Sequence, residues 1–496
     1  MWKDHFNTIL NSSRDNSNKP LVESMLTDKN NLFCERFTPS EVIDGLKGLK
    51  KGKSPGLDSI YSEHFKYSHD KISILLCLLF NAMLIHGYIP SDAMDTIIVP
   101  IIKDKKGDCT DKDNYRPVAI TCVISKILEL VILKRCESAL STTDNQFGFK
   151  PGLGTDTCMF SLKQIIQYYQ SLSSPVYDAS KAFDKINHYH LMVKLINCQV
   201  IIVRLLYFWH CMQSFVTRWG DCISSRFTVS NGVRQGGIVS PILFNVFLNQ
   251  LSVELNQSKI GCSINSHVVN HLFYADDSVL LAPSSKALQN LIHICCETYS
   301  KRFELTYNVK KTKVMCFKPK NRSDLYIPRF TLNGVNLDIV SMYKYLGCIL
   351  VDTLSDNKDI ERQMKAIYAR GNMLSKKFGM CNDDVKCKLF KAYCSTLYCS
   401  SVWSSFHVGT FNKLQSSHNR MLRIFFKLER QCSISMKCID FNIDCFKVLL
   451  RKHTYSFRSR ILLSDNVIVN AITSSLFFIS SNVNKRWNDI LFTFHM

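Results

Sequence analysis

The sequence predicts an α+β protein on three observations. A β-prone hairpin, "HLFYADDSVLLA" from His271 to Ala282, lies in mid-chain. Around it, strand-like runs alternate with stretches whose apolar residues recur at helical spacing. After Gly347 the character becomes mostly helical. A hydrophobic content of 46% and a charged content of 21% exclude wholesale disorder, and 496 residues suit two to four domains or one large multi-lobed enzyme.

The elements follow in order. Residues 1–36 are polar and rich in acids and amides ("NSSRDNSNKPLVESMLTDKNN"), which predicts a loosely packed lead-in. "TPSEVIDGLKGL" starts a helix at Thr38, with Pro39 at the first helical position and a Thr-x-x-Glu capping box. A basic loop, "KKGKSPGLDSI", precedes apolar helices that run to about Gly87 and complete a helical segment over 37–94. The longest apolar run, Ile72 to Ile85, contains Asn81 and falls short of the ~18 residues of a membrane span, so it reads as a buried helix. No membrane partner is expected. "DTIIVPIIKDKKGD" reads as a strand entering a basic turn, and "DTCMFSLKQIIQYYQ" has helical spacing. "FVTRWGDCISSRFTVSNG" looks like a hairpin turning at Gly220-Asp221. Ser240 caps a helix with Pro241 at its first position. In "DIERQMKAIYARGNMLSKKF" the residues Ile360, Met364, Ile367, Gly371, Leu374 and Phe378 form one apolar face. Arg362, Lys365, Arg370, Lys376 and Lys377 are left to water or phosphate.

Charge and cysteine usage narrow the function classes. The 62 Lys+Arg against 41 Asp+Glu leave a dispersed +21, which suggests a polyanionic partner such as nucleic acid. The 21 cysteines are odd in number and irregularly spaced, and "MWKDHFNTILNSS" lacks the apolar core of a secretory signal. Reduced thiols in an intracellular protein, nuclear or cytoplasmic and not secreted, are expected. Cys432, Cys438, Cys445 and His453 lack the close cysteine pair of a structural zinc site and read as core thiols.

Asp276 and Asp277 alone fit a surface turn as well as a metal site. A third acid, Asp178, ends a short β-prone run in "VYDASKAFDKINH". Three aspartates at adjacent strand ends suit two Mg²⁺ ions, since Mg²⁺ prefers carboxylate oxygens and an ion pair clamps the attacking and leaving oxygens of an in-line phosphoryl displacement. Between these acids, Gly232, Gly236 and Gly237 in "NGVRQGGIVSPILFN" let backbone approach a ligand closely.

The order of the motifs is more specific than any one of them. "VPIIKDKKG", "NYRPVAITCVISKILE", "QFGFKPGLGT", "YDASKAFDKINH", "RQGGIVSPILFN", "FYADDSVLLA", "YNVKKTKVMCF" and "YKYLGCIL" follow one another from about Asp95 to Leu350. In this order the chain resembles the reverse transcriptases of non-LTR (LINE-type) retrotransposons, of the jockey-like group. The resemblance implies a right-hand polymerase with an antiparallel-sheet palm, mixed fingers and a helical thumb. Residues 37–94 would then extend the fingers, 95–350 would form fingers and palm, and 351–496 the thumb and C-terminal region. It implies RNA-directed DNA polymerase activity, with an RNA template, a DNA primer or target DNA, and dNTPs as partners. Asp178, Asp276 and Asp277 would hold two Mg²⁺, with Mn²⁺ able to replace them. Phe183 would block a 2′-hydroxyl, Lys103 and Arg116 would bind the triphosphate, and Gln235 and Gly236 would line the nucleotide pocket. Lys311, with Lys310 adjacent, would protonate the pyrophosphate leaving group. No endonuclease domain is expected in this chain.

The sequence departs from that family before Asp178. "SSPVYD" supplies only Val176 and Tyr177 after Pro175, whereas a central strand usually has ~5–6 residues. Family spacing points to a deletion of about four residues, inferred from that comparison and set against the usual strand length. The strand can borrow Ser171 to Ser174 from the preceding helix, or it can fail to bring Asp178 to Asp276. Beside the active polymerase therefore stands a catalytically impaired remnant that binds RNA or DNA. A group II intron-type enzyme fits less well, given "DKKGDCTDKDNYRP" and "SKAFDKINH".

Overall fold

The computed structural model describes residues 1–11, 19–27, 35–105, 107–182, 188–195, 198–229, 234, 236–303, 307, 309, 311–319 and 326–492. It is α+β, and its chain forms two compact units, each drawn from segments distant in sequence. The first unit comprises Met1–Thr143, Phe183–Val253 and Thr298–Thr306; the second comprises Asp144–Ala182, Glu254–Glu297 and Tyr307–Met496.

In the first unit the strand Thr96–Ile102 pairs antiparallel with Tyr115–Thr121 and parallel with Ser214–Trp219. The last of these turns at Gly220, whose φ of +60° suits a residue without Cβ, and pairs back with Cys222–Ile223, as the hairpin reading expected. The capping box is present: Thr38 Oγ1 accepts from Glu41 N at 3.3 Å while Glu41 Oε2 accepts from Thr38 N at 2.8 Å.

Two expectations are corrected here. The lead-in is not uniformly loose, because Trp2–Leu10 is a helix whose Phe6 is buried with Ile98, Phe215 and Phe227 against the sheet. Trp2 and Phe6 stand four apart, and so small a stripe is hidden in a polar composition. The helix Ile72–His86 buries only one face, through Leu76, Cys77, Phe80, Met83 and Leu84. Ile74, Leu75, Leu78 and Ile85 are exposed. A run apolar all round gives no sign of which face is covered. No described helix is long and apolar enough to cross a membrane.

The second unit is built on a five-stranded sheet, ordered Asp338–Ile339, Lys313–Phe317, Val176–Ala182, Asp277–Ala282, His271–Tyr274. Its centre is antiparallel, as the resemblance implies for a palm. Met159, Phe160, Leu162, Ile165 and Ile166 of the helix Thr155–Ser171 share one core with Val279, Leu281, Met315 and Phe317 of the sheet. At roughly 1.5–3 kcal/mol for each large apolar side chain buried, that layer fixes the sheet. The helix Asn357–Phe378 buries Ile360, Ile367 and Leu374, and Gly371 leaves room for Met421, whose Cε lies 2.2 Å from where a Cβ would stand. Its basic residues are not all left to solvent: Arg362 pairs with Asp359 at 2.7 Å, and Arg370 donates to Thr396 Oγ1 at 3.0 Å.

Candidate active site

His271–Tyr274 and Asp277–Ala282 form the expected hairpin, joined by the two-residue turn Ala275-Asp276. Asp276 is exposed at the tip, and Asp277 is half-buried at the first position of the returning strand. Ala275 adopts φ +57°, a left-handed conformation that costs a residue bearing Cβ about 1–2 kcal/mol. The tip is held from outside: the Gln146 carboxamide oxygen accepts from Ala275 N at 3.1 Å and from Gly148 N at 2.9 Å. A Cβ on Gly148 would stand 2.4 Å from Ala275 N, so the backbones meet only because residue 148 is glycine. Gln146 and Gly148 lie within "QFGFKPGLGT", where their two-residue spacing carries no chemical signature that marks them as site residues.

Burial first, and the neighbouring Asp276 charge second, push the Asp277 carboxyl up to about 6; the Lys311 charge opposes both. The Lys311 charge thus reaches Asp277, while Lys310 lies outside the described residues.

Asp178 is placed differently. The helix Thr155–Ser171 is not shortened, and the strand starts at Val176, so Ser171 to Ser174 are not borrowed. Asp178 pairs with Leu281 on one side and Met315 on the other, whereas Asp277 pairs with Ala182. The difference between 182 and 178 is four register positions, roughly 13 Å along a strand at ~3.3 Å per residue. Asp178 is 0% exposed, its Oδ2 accepts a hydrogen bond from the Tyr343 hydroxyl, and its Oδ1 has no partner. Burial pushes its carboxyl up to about 7, against the Tyr343 hydrogen bond, which favours the charged form. Tyr343, in "YKYLGCIL", is a further residue the sequence did not single out.

The expected three-carboxylate cluster is therefore not assembled. Among the described residues no three His, Cys, Asp or Glu side chains come together in a way that could hold a metal ion. Asp276 and Asp277 keep the tip; Asp178 faces Tyr343 in the core.

The remaining sequence candidates belong to the first unit. Lys103 is exposed beside the basic turn, donating to Asp113 O at 2.7 Å, and Arg116 is exposed on the strand Tyr115–Thr121. Gly236 has φ +129°, and a Cβ there would lie 2.3 Å from Ala119 O. Phe183 and Gln235 lie outside the described residues. One missed residue organises this loop: Glu129, 1% exposed, accepts from Arg234 Nη2 at 2.6 Å, from Ile238 N at 2.5 Å and from Val239 N at 3.3 Å. The Arg234 guanidinium also lies over the Trp209 ring, 4.4 Å from its centroid. A single acid in the otherwise apolar "ILELVI" was the available signal.

Comparison with known proteins bears on the same stretch. A family model described as reverse transcriptase (RNA-dependent DNA polymerase) matches residues 102–350, half of the chain. The chain is 24% identical over 468 residues to the probable RNA-directed DNA polymerase from transposon BS of Drosophila melanogaster, covering 87% of this chain and 49% of that protein. It is 27% identical over 415 residues to the RNA-directed DNA polymerase from mobile element jockey of Drosophila funebris, covering 79% of this chain and 44% of that one. A polyprotein from the type-2 retrotransposable element R2DM of Drosophila melanogaster is 28% identical over 250 residues, 48% of this chain and 23% of its own length. The chain spans about half the length, or less, of these curated relatives.

Proposed function

The chain belongs to the reverse transcriptase (RNA-dependent DNA polymerase) family, and from that premise we propose that it is the polymerase part of a non-LTR retrotransposon protein whose nucleotide-joining step is attenuated. Its substrates are an RNA template, a DNA primer or target DNA, and dNTPs. The observation that carries the reading is the hairpin tip, where Asp276 and Asp277 stand side by side and the Lys311 charge acts on Asp277. In this reaction the primer 3′-hydroxyl attacks the α-phosphate of a dNTP and pyrophosphate leaves, with positioning and electrostatics lowering the barrier.

Two tip carboxylates completed by water suit one hard divalent cation, Mg²⁺ or Mn²⁺, which would supply charge stabilisation when bound. A two-ion clamp does not fit Asp178 as placed, and this favours attenuation over full activity. Lys311, whose charge reaches Asp277, would protonate the pyrophosphate leaving group. Lys103 and Arg116 would contact the triphosphate, while Phe183, Gln235 and Gly236 would shape the nucleotide pocket. An RNA template and a chromosomal DNA target would be met in the nucleus or the cytoplasm.

Primer extension on RNA and DNA templates with Mg²⁺ tests the reading, with duplex binding measured on the same preparation. The expected result is tight binding with slow extension that Asp276→Ala abolishes while binding is kept. Absence of template–primer binding would overturn the polymerase reading. Fast extension that survives Asp276→Ala would overturn the role given to the hairpin.

A further inference from the structure

We propose that in this chain Asp178 is a core acid, and that the third carboxylate of the cation site is missing from position 182. The inference rests on the reading of the hairpin tip as a cation site. Across an antiparallel pair, directly opposed residues stand ~4.5–5.5 Å apart at Cα, a spacing at which two acids could share a cation or bridge two ions ~3.5–4 Å apart. Position 182 is the one directly opposite Asp277, and the sequence there is alanine. Asp178 stands four positions along the strand, opposite Leu281 and Met315 and below Tyr343. Its neighbours are those of a core residue.

The size of the displacement matches the four-residue gap that the family resemblance implies. A shift of one register position would turn Asp178 to the other face of the sheet, because side chains alternate; a shift of four keeps the face and moves only the level. The turn Leu172 to Pro175 joins a full-length helix to a strand that begins at Val176. A connection four residues shorter than the family resemblance implies would draw Asp178 back by four positions and leave Ala182 at the hairpin tip. The Tyr343 hydroxyl then satisfies one oxygen of an acid that no longer reaches solvent.

The test is a Mn²⁺ titration followed by electron paramagnetic resonance on the full chain without nucleic acid, with primer extension as a second readout. The wild type is expected to bind Mn²⁺ weakly. Asp276→Asn should lose that binding and Asp178→Asn should leave it unchanged. Ala182→Asp should tighten binding at least ~10-fold, the effect of adding a charged ligand. A loss of Mn²⁺ binding in Asp178→Asn equal to that in Asp276→Asn would overturn the proposal. So would an Ala182→Asp chain that melts as the wild type does and binds no better. Gain of Mn²⁺ binding in Ala182→Asp with no extension by any variant would uphold the site inference while the polymerase reading fails.

Discussion

At Asp178, burial favours the protonated acid and the Tyr343 hydrogen bond favours the carboxylate; burial prevails, and the carboxyl is pushed up to about 7. In the unfolded chain an aspartate titrates near ~3.9. Between these values the native state holds a proton that the unfolded state has lost. The stability Asp178 contributes is therefore fully present below about 4, falls as pH rises towards about 7, and is level above that. Asp178→Asn removes this titration. Its melting curve should vary less than the wild type's between pH 5 and 7, and at pH 8 it should be more stable by up to about 4 kcal/mol. Thermal melts across that range check the prediction, and an unchanged profile would show that Asp178 does not carry the proton. Glu129 makes a second test at this scale. Glu129→Ala strands the Arg234 guanidinium, 9% exposed, and should cost ~3–5 kcal/mol of stability in denaturant titration.

Among the elements, the hairpin tip depends on the segment beside it. Gly148→Ala places a methyl against Ala275 N and should destabilise by ~1–3 kcal/mol, with faster amide exchange at Tyr274 to Asp277. Exchange unchanged at the tip would show that Gly148 does not support it. The hairpin itself was legible in the sequence because two β-prone runs flank a turn pair, and the Thr38 cap and the helix from Ser240 were legible because their signals are local. What was not legible is register. "VYDASKA" reads as a strand in any alignment with its neighbours, and only pairing with Asp277–Ala282 decides whether Asp178 or Ala182 meets the tip. The roles of Gln146, Glu129 and Tyr343 were hidden for a similar reason. Each acts on a segment more than a hundred residues away in sequence.

Over the whole molecule, +21 of net charge suits a partner that is bound through its phosphates. Affinity for a template–primer duplex should fall linearly in log–log form with salt, at a slope of ~0.9 per phosphate neutralised for a DNA duplex, and vary little with sequence. A salt-independent affinity would contradict that picture. A connection four residues short of the length the family resemblance implies would account for the register that separates Asp178 from the hairpin. The most direct measurement is the primer-extension rate after four apolar residues are inserted between Ser174 and Pro175. A gain of at least ~10²-fold is expected, the scale of one electrostatic contact regained in a transition state, together with extension that becomes sensitive to Asp178→Asn. An inserted chain that melts and binds duplex as the wild type does, yet extends no faster, would contradict it.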